Sequence, residues 1–481
     1  MSGVTNMEQA ILAGVTRRGV VIVLVVALCL RLAYLGMVAE SPESFYLPDS
    51  KLYMQLAEDM VLTGGFNHRT DESAKEFRIE TERVPLYIVY LAGFRFLLGQ
   101  DPLWPVLGQC LLDSVACLLI GFMAGRIHPR MFFLAGLCAA FNLNLIAHAT
   151  LILTDSLFVL LLAGSLLATV RFMQRPSLSD AALTGVLTAL AILTRAVLAY
   201  FVPLVIGVVV VAVWRHRLGT AAMLRYGAVC LLSLAVLVGP LLMRNAQEYG
   251  RYRLVSQTGG HAMLWVVPLA REFASGVPAA TTQNEMYERL RVHLESQGLS
   301  ELPKNPFEAS DQFEAVARKA LLELGVVALA KAWIAGASIN LLAPSVTAVP
   351  FLNKQSRPSF SATPGATPFE KIWNMLSHAA SAPYLALLAA AAGLTVAFRV
   401  VQVAGFWKLM AGDSSLRWTV GYLLVFALFM VVMTGPIVGP KYRLPLEPIL
   451  MVGLAAGLHA LYERIISRKL PEGGTESSCA A

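Results

Sequence analysis

Apolar residues in this chain do not alternate in the short rhythm of a half-buried strand or a surface helix; they come in long blocks separated by brief polar breaks. A helix that crosses a bilayer needs about 20 apolar residues. Runs of that order fall at 19–38, 103–125, 130–148, 152–173, 224–243, 381–402, 417–435 and 445–463. The stretch 181–214 is too long for one crossing, because a single helix would extend about 51 Å against a hydrocarbon core of about 30 Å. It predicts two helices that turn near Arg195, with Pro203 in the first turns of the second. The pattern as a whole predicts an all-α polytopic membrane protein with about ten crossings.

Basic residues in the short breaks orient the bundle. Arg17 and Arg18, then Arg126, His128 and Arg130, then Arg171 and Arg175, then Arg215, Arg217 and Arg225 all fall on one side, as do Lys408 and Arg417 and finally Arg464, Arg468 and Lys469. Both chain ends are then inside. Two apolar segments break the alternation: 85–98, "PLYIVYLAGFRFLL", which is short and contains Arg95, and 320–343, with Lys331 at its centre. Both are expected as helices on the outer face; a crossing at 320–343 plus one more elsewhere would give twelve. The resulting division is a cytoplasmic N-terminus 1–18, a transmembrane core 19–243 with a first outer loop 39–102, an outer-face region 244–380 with an interfacial helix, C-terminal transmembrane helices 381–465 and a cytoplasmic tail 466–481.

Composition supports the membrane assignment and removes several function classes. Only 14% of residues are charged, against about 25% in soluble domains. The net charge of +7 is dispersed over short loops, so no nucleic-acid surface is expected. Cys29, Cys110, Cys117, Cys138 and Cys230 lie in apolar runs and Cys479 in the tail, which reads as buried thiols and not a disulfide framework. The stretch behind Arg17 and Arg18 exceeds the apolar core of a signal peptide, so an uncleaved first span is expected. Walker, zinc-ligand and nucleotide-binding glycine spacings are missing from the sequence, and no cofactor or required metal is expected.

Candidate chemistry gathers outside the helix ends. Asp49 follows Pro48 and opens "SKLYMQLAEDM"; it reads as a helix cap, as a site carboxylate, or as both. Asp155, in "HATLILTDSLFV", offers a second acid at the same depth unless it or Thr154 merely caps the next span. Arg195 is a cation between two apolar helices, and Arg31 sits near the outer end of the first span; each is a functional charge or a snorkelling one. Arg83 in "ERVPLY", Arg244 in "GPLLMRNAQEYGRY", and Lys441 and Arg443 in "GPKYRLPLEP" add cations that suit a phosphate at the interface, with anionic-lipid contact as the plainer reading of each.

In this order the pieces resemble the GT-C glycosyltransferases that use a polyprenyl-phosphate sugar, near the bacterial relatives of the protein O-mannosyltransferases and the aminoarabinose transferase of lipid A. The resemblance covers most of residues 20–465 and rests on "LYMQLAEDM" after Asp49, "ERVPLY", "LTDSLF", "LTRAVLAYFVPL", "GPLLMRNAQEYGRYRLVSQTGGHAMLW" and "KYRLPLEPIL". It implies a GT-C type bundle of about 10–13 transmembrane helices with outer-face amphipathic helices. It implies a polyprenyl-phosphate-linked sugar as donor and a glycan, lipid or protein acceptor, with transfer to a hydroxyl or phosphate by inversion. Asp49 would be the catalytic base and Asp155 the second acid. Arg83, Arg195, Arg244, Lys441 and Arg443 would hold the donor phosphate. Tyr53, Glu82 and His261 would contact substrate, with Gly259 and Gly260 letting backbone approach it. Ser50 follows Asp49 where the family often has a second acid, so a metal is not indicated. The polar, Pro/Ser-rich segment 351–380 has no family counterpart and reads as a lid or a linker. The expected location is the inner membrane, multi-pass, with the site facing the periplasm or cell exterior. Two rivals stand beside this reading: a secondary transporter of an anionic or lipid-linked substrate, and a non-catalytic scaffold.

Overall fold

The computed structural model describes residues 16–40, 42–69, 76–349, 363, 365, 367–377 and 382–469. Its helices are α1 (Arg17–Val38), α2 (Pro48–Thr63), α3 (Leu86–Leu98), α4 (Leu103–Gly125), α5 (Met131–Ala140), α6 (Leu143–Ala149), α7 (Asp155–Gln174), α8 (Leu178–Ile192), α9 (Val202–Arg215) and α10 (Gly219–Tyr249). Then come α11 (Thr258–His261), α12 (Val267–Ser275), α13 (Ala279–Ser296), α14 (Pro306–Leu342), α15 (Pro368–Ser377), α16 (Ala382–Met410), α17 (Ser414–Thr434) and α18 (Glu447–Lys469). A two-stranded antiparallel hairpin, β1 (Asn67–Arg69) and β2 (Phe77–Ile79), lies between α2 and α3.

Among the described residues nine helices are long and apolar enough to cross a membrane, and ten if the bent pair α5–α6 is one span. The protein is therefore an all-α polytopic membrane protein. The expected span 103–125 is α4 residue for residue. The expected turn near Arg195 is also present: α8 ends at Ile192, a 3-10 turn covers Ala196–Phe201, and α9 begins at Val202 with Pro203 in its first turn. The expected span 130–148 is broken by 54° between α5 and α6. The cause is local: Asn142 caps α6 through its side-chain oxygen, which accepts from the Asn144 and Leu145 amides.

Close helix contacts rely on small residues, as expected where lipid gives no hydrophobic drive between helices. A Cβ on Gly185 of α8 would lie 2.5 Å from the Cys230 carbonyl of α10, and one on Gly457 of α18 would lie 2.2 Å from the Val401 carbonyl of α16. Outside the bundle, α11–α13 and the first half of α14 enclose a separate small core of Met263, Val267, Met286, Leu290, Leu294, Val316, Ala317 and Ala320.

Segment 320–343, expected at the interface, is the distal part of the 37-residue α14. Gly325 (φ +77°) kinks that helix, and a left-handed residue there is natural only for glycine. Beyond the kink, Ala332, Gly336 and Asn340 face inward at four-residue spacing. Trp333 donates to the Val432 carbonyl of α17 (3.0 Å) and Asn340 to that of Ile437 (2.8 Å). This half of α14 thus packs on a spanning helix, and α14 is itself among those long and apolar enough to cross. Lys331 at its centre is exposed, on the side away from that contact. The lid or linker expected at 351–380 lies largely outside the described residues, as do the N-terminus before 16 and the tail beyond 469.

Candidate active site

Asp49 stands in the first turn of α2, where Pro48 sets the helical φ and the Ser50 hydroxyl accepts from the Leu47 amide (2.9 Å). Capping is therefore done by Ser50 around Leu47. The Asp49 carboxylate is turned instead towards Lys441, whose Nζ lies 3.5 Å from Oδ2. The two residues are 392 positions apart in sequence, and neither is buried.

Asp155 opens α7 and is buried. Arg195, in the break between α8 and α9, donates to Asp155 Oδ1 (2.6 Å) and to the Thr154 hydroxyl (2.9 Å), and its guanidinium lies over the Phe158 ring. Its charge is committed to the second acid, so it does not snorkel. Among the described residues Asp155 Oδ2 is buried without a hydrogen-bond partner, leaving one acceptor for a hydroxyl.

The loop before Asp155 is held by Gln109 of α4, which the hydropathy pattern hides. Its amide donates to the Leu151 (2.7 Å) and Ala149 (3.1 Å) carbonyls and accepts from the Tyr87 hydroxyl (2.6 Å). Tyr87 in turn meets the edge of Tyr53 at a ring separation of 5.3 Å, so one chain of contacts connects α2, α3, α4 and the loop before α7. His148 of α6 was also missed by sequence reasoning, although it stands seven residues before Asp155. Its Nδ1 lies 2.8 Å from the Asn144 carbonyl, so Nδ1 carries the proton and Nε2 is the basic nitrogen. It is buried within electrostatic reach of Asp155, Arg195 and Lys441.

Arg83 is placed by the turn after β2. Glu80 accepts from the Glu82 (2.6 Å) and Arg83 (2.9 Å) amides, the Ser256 amide donates to the Thr81 carbonyl (2.8 Å), and the Leu86 amide donates to the Leu193 carbonyl (2.9 Å). Among the described residues Arg83 Nη1 is buried and makes no hydrogen bond, its nearest acid being the largely exposed Glu82 at 3.7 Å. Tyr53, in α2, feels Arg83, Arg195, Asp49 and Asp155. Burial raises its pKa above the ordinary 10, so at neutral pH it is a hydroxyl donor and not a base. His261, at the end of α11, feels Lys441, Arg83 and Asp49; burial first, then the two cations, lower its pKa, while Asp49 opposes them.

Asp49, Tyr53, Arg83, Asp155, Arg195, His261 and Lys441 are thus brought into one electrostatic neighbourhood from distant segments. Glu82 stands at its edge, largely exposed beside Arg83, whereas Arg443 and Arg244 are turned elsewhere. Arg443 is buried: its guanidinium donates to Glu447 (2.8 Å), the Ala343 and Asn340 carbonyls (2.5 and 3.3 Å) and the Ser345 hydroxyl (2.7 Å). Glu447 also accepts from Asn142 and Asn144 at the α5–α6 elbow. Arg443 is hence a clamp between α14, α18 and that elbow. Arg244 donates to the Glu80 carbonyl (2.7 Å) and to Asn245; it supports the turn that carries Arg83. Arg31 is fully buried, paired with Asp113 at 2.5 Å and hydrogen-bonded to the Ala140 carbonyl, which removes the snorkelling reading. A Cβ on Gly259 would lie 2.0 Å from the Ser310 carbonyl, whereas one on Gly260 meets nothing. Gly259 therefore lets α11 seat on α14, not on a ligand. No group of three or more His, Cys, Asp or Glu able to hold a metal ion is found among the described residues.

Residues 83–242 match the family model described as dolichyl-phosphate-mannose-protein mannosyltransferase. No curated protein matches the chain. Among solved structures it is similar to ArnT from Cupriavidus metallidurans bound to undecaprenyl phosphate, at 17% identity and a TM-score of 0.38 over 94% of this chain and 81% of that one. The apo form of the same protein gives 17% identity and a TM-score of 0.32 over the same shares. The matched stretch 83–242, about a third of the chain, carries Arg83, Asp155 and Arg195.

Proposed function

We propose that the protein is a membrane glycosyltransferase that moves a sugar from a polyprenyl-phosphate donor to an acceptor at the outer face of the inner membrane. The observation that carries this reading is the convergence of Asp49 with Lys441, and of Asp155 with Arg195, around Tyr53 and Arg83. In the proposed reaction the acceptor oxygen attacks the anomeric carbon and its proton passes to Asp49. The bond from that carbon to the phosphate oxygen breaks on the opposite face, so the configuration inverts. The departing lipid phosphate gains negative charge, and cations already in place lower that barrier. Lys441 and Arg83 are suited to receive it: Lys441 is only loosely held by Asp49, and Arg83 has an unspent buried N–H. When Lys441 turns to the phosphate, the Asp49 carboxylate is released to take the acceptor proton. Arg195 fixes Asp155, whose free Oδ2 is suited to orient the acceptor hydroxyl. Tyr53 and His261 are proposed to contact the sugar from α2 and α11, Glu82 to sit at the rim, and Arg244 and Arg443 to act through the elements they hold.

The test is transfer from a panel of polyprenyl-phosphate sugars by purified protein in nanodiscs, with an envelope extract as acceptor and Asp49→Asn alongside. Transfer by the native protein and its loss in a folded Asp49→Asn variant support the reading. Equal transfer by both removes Asp49 from the chemistry. Movement of a lipid-linked substrate across a vesicle membrane without transfer would favour the transporter.

A further inference from the structure

A polar cleft of about 480 Å³ is lined by Tyr200, Arg253, Thr258, Asp311, Glu314 and Arg318. Two short turns join its lining to the site along the chain. Thr258 and His261 are three residues apart on α11 and share a face, and Tyr200 lies in the 3-10 turn that Arg195 precedes. Arg253 is already committed to Asp311 and, at 3.5 Å, to Glu314. Arg318 is exposed and makes no ion pair or hydrogen bond among the described residues, and the Tyr200 ring is largely exposed. Arg253 and Arg318 line it with Asp311 and Glu314, and Arg251 joins Asp311 (3.4 Å) to Glu308 (4.0 Å), so three arginines meet three carboxylates and the cleft is charge-balanced. It thereby differs from the cluster around Lys441, where Lys441, Arg83 and Arg195 meet Asp49 and Asp155 and the third acid, Glu82, is largely exposed and only 3.7 Å from Arg83. A phosphate or sulfate would meet Asp311 and Glu314 and be disfavoured. A neutral polyhydroxylated chain meets none of that cost: carboxylates and guanidinium groups hydrogen-bond neighbouring hydroxyls in pairs, and an exposed aromatic ring covers a sugar face.

We infer that this cleft holds the acceptor, and that the acceptor is an oligosaccharide lying on Tyr200 with its hydroxyls bonded to Arg318, Arg253, Asp311 and Glu314. The inference rests on the glycosyl-transfer reading above and gives that reading its acceptor class. From the cleft, α11 leads one turn to His261 and so to the reacting cluster.

The experiment uses the full-length protein in nanodiscs and the oligosaccharide fraction released from envelopes by mild acid, with a tryptic peptide fraction as a second probe. Tyr200→Ala and Arg318→Ala change exposed side chains outside the reacting cluster, and thermal melting checks their folding. Saturation-transfer NMR should show sugar-ring protons in contact with the native protein, weakened in both variants. In transfer assays the KM for the oligosaccharide should rise about tenfold in each variant, with kcat and the donor KM held within about twofold. Unchanged acceptor KM in a transferring enzyme overturns the inference and leaves the glycosyltransferase reading intact. Glycan contact that depends on Tyr200 and Arg318 without any transfer overturns that reading and keeps the cleft as a glycan site. Transfer to the peptide fraction alone, with a KM raised by the same variants, overturns the oligosaccharide as occupant.

Discussion

Lys441 and Arg443 are two residues apart in one 3-10 turn, and each faces a carboxylate, but the two pairs are built differently. The Arg443 and Glu447 side chains are 2% and 1% exposed, directly bonded, and joined by five further partners from α6, α14 and its C-terminal turn. The Lys441 and Asp49 side chains are 32% and 47% exposed and 3.5 Å apart, with no other hydrogen bond to either charged group among the described residues. A saturated, dry pair holds elements together and has nothing left to give a ligand. A loose, wet pair contributes little to stability but can exchange its partner for a substrate. The motif "KYR" shows neither difference, since it lies in which residue of the turn faces the bundle and which faces the outer cluster.

The largest expected effect separates the two pairs by activity. Asp49→Asn should lower transfer about 10³-fold or more, in the range of a lost general base, with the melting temperature unchanged. Lys441→Met should follow at about 10²-fold, as for one donor to a developing anion. Stability reverses the order. Arg443→Met should destabilise the protein by about 3 kcal/mol or more, because Glu447 is left buried and unpaired, and Glu447→Met added to it should recover part of the loss. Unfolding titrations in mixed micelles measure this, and an Arg443→Met protein as stable as the native one would end the contrast drawn here. Gln109→Leu should cost about 1–3 kcal/mol, since two loop carbonyls and the Tyr87 hydroxyl lose their partner. It should also lower activity by loosening Asp155, whereas Gly260→Ala, which meets open space, should change neither.

The smallest effect is a titration. His261 should titrate below 6.5, with its NMR pKa rising in Lys441→Met, which removes a repelling cation, and falling in Asp49→Asn, which removes the favouring anion. Its linkage to stability has a definite sign. Above about pH 6.5 the folded and unfolded chains both hold the ring neutral. Below that the unfolded chain binds the proton first, so stability falls with pH until the lowered folded pKa is passed. A His261 that titrates above 6.5 would remove Lys441 and Arg83 from its surroundings.

Legibility in the sequence tracked the range of the signal. Length of apolar runs gave α1, α4, α7 and the α8–α9 break, because crossing a bilayer is a one-dimensional requirement. Asn142 shows the limit: its cap bends 130–148, yet a lone Asn in an apolar run is equally consistent with a straight helix. Among charges, Asp49, Arg83, Asp155, Arg195 and Lys441 stood out as ions at the ends of apolar runs. Asp113, the buried partner that explains Arg31, lay inside the span 103–125 and was passed over. Gln109 and His148 were missed for the same reason, since one polar residue in an oily helix has no periodicity to betray it.

The sequence alone determined that the chain is a helical membrane protein and which residue types stand at the ends of its apolar runs. Those properties depend on local hydropathy and charge, summed along the chain. Only the tertiary structure decided that Lys441 meets Asp49 across 392 positions, that Arg443 is locked to Glu447, and that Gly259 serves a helix contact. Partner choice depends on which faces the helices turn to one another, and packing sets that geometry, not the order of residues.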